Sequence, residues 1–118
     1  MFNIIANGTV IGRTAFEHGD APMGVAFGAF LPVEDFAEFR ATTPMTRQDD
    51  GGVCVWSNLV AMSAEGIALD GATVTVFVFG PELSEEMEVT AEGIPSPLYE
   101  RVFAHHVQDY EARFSPES

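Results

Sequence analysis

Hydrophobic and polar positions alternate with a period of two over much of the first eighty residues, the signature of half-buried strands. Phe2 to Ala6 and Thr9 to Phe16 are β-prone and flank Asn7-Gly8. A type I′ turn needs positive φ at both central positions, which Asn and Gly tolerate best, so the spacing predicts a hairpin of strands 2–6 and 9–16. Glu17 to Pro22 reads as a loop from its Gly, Asp and Pro. Met23 to Leu31 predicts another strand, ended by Pro32, in which Val25, Phe27 and Ala29 share one parity. Its glycines, Gly24 and Gly28, mark a bulge or the close approach of another backbone. Val53 to Met62 is too apolar and too β-branched for a solvated helix, and predicts a strand broken near Ser57-Asn58. Ala72 to Phe79 is the clearest strand, with Val74, Val76 and Val78 on one face. Ile67 to Leu69 lies between two turn signals, and Val89-Thr90 is a short β-prone run after the acidic stretch Glu82 to Glu88.

A helical period occurs twice. Pro32-Val33-Glu34-Asp35 opens a short helix whose first-turn acids suit the helix dipole; Phe36 and Phe39 form its apolar stripe, and it should stop near Arg40 or Ala41. Thr42 to Gly52 follows as a polar loop. Ser96 as N-cap and Pro97 at the first helical position open a C-terminal helix, with Tyr99, Val102, Phe103, Val107, Tyr110 and Phe114 as its stripe. Residues 115–118 read as a frayed tail. The sum is one α+β domain over residues 1–118. Its mostly antiparallel sheet has about five to six strands, with the middle helix and the C-terminal helix packed on one face.

Charge sharpens the picture. Eighteen Asp and Glu face five Arg, there is no Lys, and the formal net charge is −13. Phosphate backbones and anionic lipid surfaces are bound through Lys and Arg, so direct nucleic-acid and membrane binding are disfavoured, whereas a basic protein would be attracted. Ten Phe and 47% hydrophobic residues exclude wholesale disorder. A single cysteine, Cys54, excludes an intrachain disulfide; the first residues lack a basic signal-peptide region, and the longest apolar run, Val74 to Phe79, is far too short to span a bilayer. These features lead us to expect a cytoplasmic protein.

The chain lacks GxGxxG, phosphate-loop, GxSxG, CxxC, HExxH and EF-hand patterns, so no cofactor is expected. His105 and Asp109 lie one helical turn apart and can share a metal, with His18 or Glu17 as further ligands; adjacent His106 points about 100° away. A solvated helix face is the plainer reading. Cys54, set in Val53-Cys54-Val55-Trp56, reads as a small hydrophobe rather than a nucleophile. Glu34, Asp35 and Glu38 with Glu82, Glu85, Glu86 and Glu88 form a candidate acidic docking surface.

The hairpin ending near Gly12-Arg13-Thr14, followed by Asp20-Ala21-Pro22-Met23-Gly24-Val25-Ala26-Phe27-Gly28-Ala29-Phe30, resembles a group of small bacterial proteins that share a PPMGVxFG stretch, here with Ala21 in place of the first Pro. The resemblance covers about a third of the chain. It implies a bacterial origin and brings no activity or catalytic residue. The leading functional expectation is a non-catalytic, acidic protein-binding module of inhibitor or immunity type. The alternatives are a small enzyme or metal-binding protein using His105 and Asp109, and a homo-oligomer formed by pairing of the Val53–Met62 strand with its copy.

Overall fold

The computed structural model describes residues 1–20, 22–49, 53–79, 86–95 and 97–106, with backbone alone at 47–49. Nine strands and two short helices follow one another: β1 (Phe2–Ala6), β2 (Thr9–Thr14), β3 (His18–Asp20), β4 (Val25–Ala29), β5 (Leu31–Pro32), α1 (Asp35–Thr42), β6 (Arg47–Asp49), β7 (Val53–Ser63), β8 (Thr73–Phe79), β9 (Glu86–Glu92) and α2 (Leu98–Val102). The class is α+β with an antiparallel sheet, but there are more strands than the five to six expected. Eight lie in the order β3-β4-β9-β8-β7-β1-β2-β5, and β6 pairs with β7. Three are two or three residues long: β3 and β6 lie inside Glu17–Pro22 and Thr42–Gly52, which the sequence marks as loops, and β5 spans the point where the strand expected over Met23–Leu31 ends at Pro32.

The two ends of that order meet, because β2 leads into β3 and β4 leads into β5. β4 pairs with β9 along Ala26–Ala29, and only Phe30 separates it from β5, which pairs with β2. Segments β2–β3 and β4–β5 therefore run as one long antiparallel hairpin whose register slips by one residue, from Arg13 opposite Leu31 to His18 opposite Phe27. The sheet closes into a barrel of six continuous walls: β1, β2–β3, β4–β5, β9, β8 and β7. The slip sits at Phe16, a bulky residue at φ 45°. L side chains are rarely found there, and such a conformation persists only where its surroundings over-determine it. Here the Phe16 ring is fully buried and its amide donates to Thr14 Oγ1 at 3.1 Å. The amide of Ala29, left over by the slip, donates to Glu17 Oε2 at 3.0 Å.

A six-walled barrel is narrow inside, so its lining must be small. Besides the larger Ile4 on β1 and Leu59 on β7, the inward residues include Ala26 and Gly28 on β4, Val89 and Ala91 on β9, Val74, Val76 and Val78 on β8, and Ala61 on β7. Val25, Phe27 and Ala29 share one face, as their parity predicts, and it is the outer one, where Phe27 lies against His18 with ring centroids 5.3 Å apart. Glycine is required at Gly12, where a Cβ would fall 2.3 Å from the Phe30 ring, and at Gly24, whose φ is 65° and whose Cβ would meet Ile94 O at 2.7 Å. The larger side chains plug the ends. At one end Phe30, Phe36, Phe39 and Trp56 pack together, Phe30–Phe36 and Phe36–Trp56 edge to face with centroids at 5.1 and 6.1 Å and Phe39 tilted against Phe36 and Trp56. At the other, Phe2, Phe16 and Phe103 pack at 5.0 to 5.7 Å. The helices thus cap opposite ends, α1 supplying Phe36 and Phe39 and the C-terminal segment supplying Tyr99 and Phe103, instead of sharing one face.

Several sequence expectations hold. Asn7 and Gly8 take φ of 51° and 81°, and Ala6 pairs with Thr9 across a two-residue turn. The register of β7 shifts between Trp56 and Leu59, with Asn58 at φ 61°. Two further expectations need correction. Glu86 and Glu88 belong to the seven-residue strand β9, longer than Val89-Thr90 alone. Pro97 takes the N-cap place of α2, which ends at Val102 before a second helical stretch over 104–106. Ser96 and the stripe beyond His106 lie outside the described residues. Phe103→Ala would empty the centre of one plug and should cost about 3–5 kcal/mol in urea unfolding; a cost under about 1 kcal/mol would mean that the plug does not support the barrel.

Candidate functional site

The α1 end of the barrel carries a groove. Two adjoining recesses, of about 360 and 170 Å³, open between α1, the β1–β2 turn and the bulge of β7, and share Ala6, Asn7, Phe39 and Thr43. α1 presents Asp35, Glu38, Phe39 and Thr42 to it. These are positions i, i+3, i+4 and i+7, one helical face. Apolar side chains form the floor: Ile11 and the half-buried Phe39, which rests on Trp56 with centroids 5.9 Å apart. Carboxylates, threonines and asparagines form the rim.

The groove's shape follows from local chemistry. Trp56 is buried, and its indole N–H donates to Thr43 O at 3.1 Å, fastening the exit of α1 over the barrel. The amide of Thr46 donates to Val55 O at 2.8 Å, and that of Ser57 to Thr46 Oγ1 at 2.8 Å, so the segment after α1 follows the start of β7. Ser57 Oγ lies 3.1 Å from Thr75 Oγ1 on β8. Asn7 and Asn58, both exposed and both in the left-handed region, stand on the rim where strands turn or bulge. Asn is among the few residues with a side chain that enter this region routinely.

The residues singled out from the sequence fall in different places. Asp35 and Glu38 line the groove, while Glu34 is exposed just before α1 and makes no side-chain cap. Glu86 and Glu88 lie on β9, opposite Phe79 and Phe77, outside the lining of the groove. Because Phe30 N donates to Met87 O, the start of β9 emerges at the same end of the barrel as α1. Glu82, Glu85 and Asp109 lie outside the described residues. His105 is exposed, with its ring centroid 4.0 Å from that of His106. The further ligands considered for it are engaged elsewhere, Glu17 with the Ala29 amide and His18 against Phe27. Among the described residues no three His, Cys, Asp or Glu gather as a metal ion would require, and no helix is long and apolar enough to cross a membrane. Cys54 is half-buried and packed against the core. β7 pairs with β8 along one edge and, along the other, with β6 over Val53–Val55 and with β1 over Val60–Ser63.

The groove was not legible as one site because its walls come from segments far apart in the chain, although Asn7, Asp35, Glu38 and Asn58 each carried a local signal. Comparison with protein families, with curated proteins and with solved structures finds no match to this chain.

The rim geometry is directly testable. Asn58→Gly should leave stability within about 0.5 kcal/mol, whereas Asn58→Ala should cost about 1 kcal/mol, the penalty of a Cβ in the left-handed region. Equal unfolding midpoints for the two variants would contradict a left-handed residue at the bulge.

Proposed function

We propose that this protein is a non-catalytic, acidic binding module that takes a basic segment of a protein partner at the α1 end of its barrel. The observation that carries this reading is the groove itself. One face of α1 sets Asp35 and Glu38 beside the apolar surface of Phe39, and among the described residues no basic side chain lines either recess. An arginine side chain is matched to such a site, because its methylenes cover apolar surface while its planar guanidinium meets carboxylates and stacks on aromatic rings. The net charge of −13 supports the same reading through long-range attraction of a basic partner, which speeds encounter more than it tightens binding. A rigid scaffold suits the task, since two fastened plugs hold the groove's walls in place without an ordering cost on binding.

The test uses an arginine-rich nonapeptide followed by two-dimensional NMR and calorimetry. Shifts should concentrate at Asp35, Glu38, Thr42 and Asn58. The double variant Asp35→Asn/Glu38→Gln should weaken binding about tenfold at low salt, the value of two exposed charge pairs. A control of equal charge change at the opposite end, Glu65→Gln/Asp70→Asn, should weaken it less than threefold. Equal losses in the two double variants, or shifts spread evenly over the surface, would show that only net charge acts and would overturn the groove as the site.

A further inference from the structure

The far end of the barrel holds a second device, separate from the groove. His106 is 5% exposed, and both of its ring nitrogens have partners. Nε2 lies 2.9 Å from Phe16 O, the carbonyl of the strained bulge residue. Nδ1 lies 3.0 Å from the Tyr99 hydroxyl, which itself donates to Val25 O at 2.9 Å. The chain of contacts thus ties the C-terminal segment to both arms of the hairpin that closes the barrel. Gly19 makes room for it: a Cβ there would fall 2.4 Å from both His106 Nδ1 and the Tyr99 oxygen.

Counting protons along this chain selects a state. A carbonyl only accepts, so Nε2 must carry a hydrogen to bond Phe16 O. In a neutral imidazole Nδ1 is then a bare acceptor, and the single Tyr99 proton must serve either Nδ1 or Val25 O, leaving two acceptors face to face at about 3 Å. In the imidazolium Nδ1–H donates to the Tyr99 oxygen, the Tyr99 hydroxyl donates to Val25 O, and every donor meets an acceptor. We propose that His106 is a proton-operated latch: the docked C-terminal segment holds a doubly protonated imidazole against the Phe16 bulge, and loss of one proton loosens that segment from the barrel.

The surroundings bear on the charge from every side. Phe103 stacks parallel on the imidazole with centroids 5.0 Å apart, which suits a cation over a π face. Asp20, on the β2–β3 arm, is close enough for its charge to act on the Tyr99 hydroxyl, and it favours a cation there. Burial first, and then Asp20, push the Tyr99 phenol up to about 12, so it keeps its proton throughout the neutral range. Glu17 and His18 on the same arm, and Glu100 and Arg101 on α2, complete the ionisable neighbours on the described elements that pack here; β4 has none. His105, 4.0 Å away between centroids, opposes a second positive charge when it is itself protonated. Burial of a charge opposes the imidazolium as well, and the three matched hydrogen bonds must offset it. The sign follows. The docked state holds the extra proton more tightly than the released one, so docking is firmest at acid pH and weakens as pH rises and His106 is neutralised.

Long-range proton–nitrogen NMR of the intact chain tests this. At pH 6 both His106 nitrogens should show imidazolium shifts. As pH rises and the ring titrates, exchange of the Phe103 and His106 amides, which donate to Tyr99 O and Phe103 O, should accelerate about tenfold beyond the intrinsic base-catalysed increase. Tyr99→Phe, which removes the acceptor at Nδ1, should move the titration to lower pH. A neutral Nε2–H ring from pH 5 to 8 would overturn the proposal, as would titration without a change in amide exchange.

Discussion

The fold depends on one constraint: the segment from Val25 to Pro32 must serve two neighbours at once. Its first half pairs with β9 and its second half with β2, so a strand that would otherwise be an edge becomes the seam of a closed barrel. Exposed edges invite pairing with other chains, and closure removes them. The seam demands small residues where the wall curves inward. Ala26 and Gly28 supply them, and Gly12 lets the Phe30 ring cross beneath. The one-residue slip opposite the seam is the corresponding cost, concentrated in the left-handed Phe16 and repaired by Thr14 and Glu17.

From this constraint the two working ends follow. A narrow barrel of alanines and valines has little room for large side chains, so ten Phe and one Trp must find other places. Seven of those residues form the two plugs, and the plugs hold the helices. At one end the plug fixes α1 and so sets the acidic groove. At the other it surrounds Tyr99 and His106 with apolar surface, which is why a pair of ordinary polar side chains becomes sensitive to a single proton.

The sequence showed much of this and hid the rest for identifiable reasons. Asn7-Gly8, the break at Ser57-Asn58 and the alternation of Val74, Val76 and Val78 are local signals, and all three appear as expected. The close approaches at Gly24 and Gly28 were legible too. The shared parity of Val25 and Phe27 was legible, but not which face turns inward, because a narrow interior prefers Ala and Gly, which carry no hydrophobic signal of their own. β3, β5 and β6 were hidden because two or three residues have no period. Of the candidate site, Asp35 and Glu38 were readable from their place on α1. Phe39 was legible as an apolar stripe but not as a groove floor, and the rim residues Thr43 and Asn58 meet it only through tertiary packing. Of the histidine pair, attention fell on exposed His105, because a helical stripe gives no sign that His106 would meet a strained carbonyl ninety residues earlier.

Closure of the barrel is the central claim, and cross-strand nuclear Overhauser effects test it most directly. The structure requires contacts between Arg13 and Leu31 and between Gly28 and Val89 in the same molecule. Both sets, at intensities typical of antiparallel pairs, would establish the seam. The second set without the first would mean an open sheet with β2 at its edge, and would contradict the account of the fold and of both ends built on it.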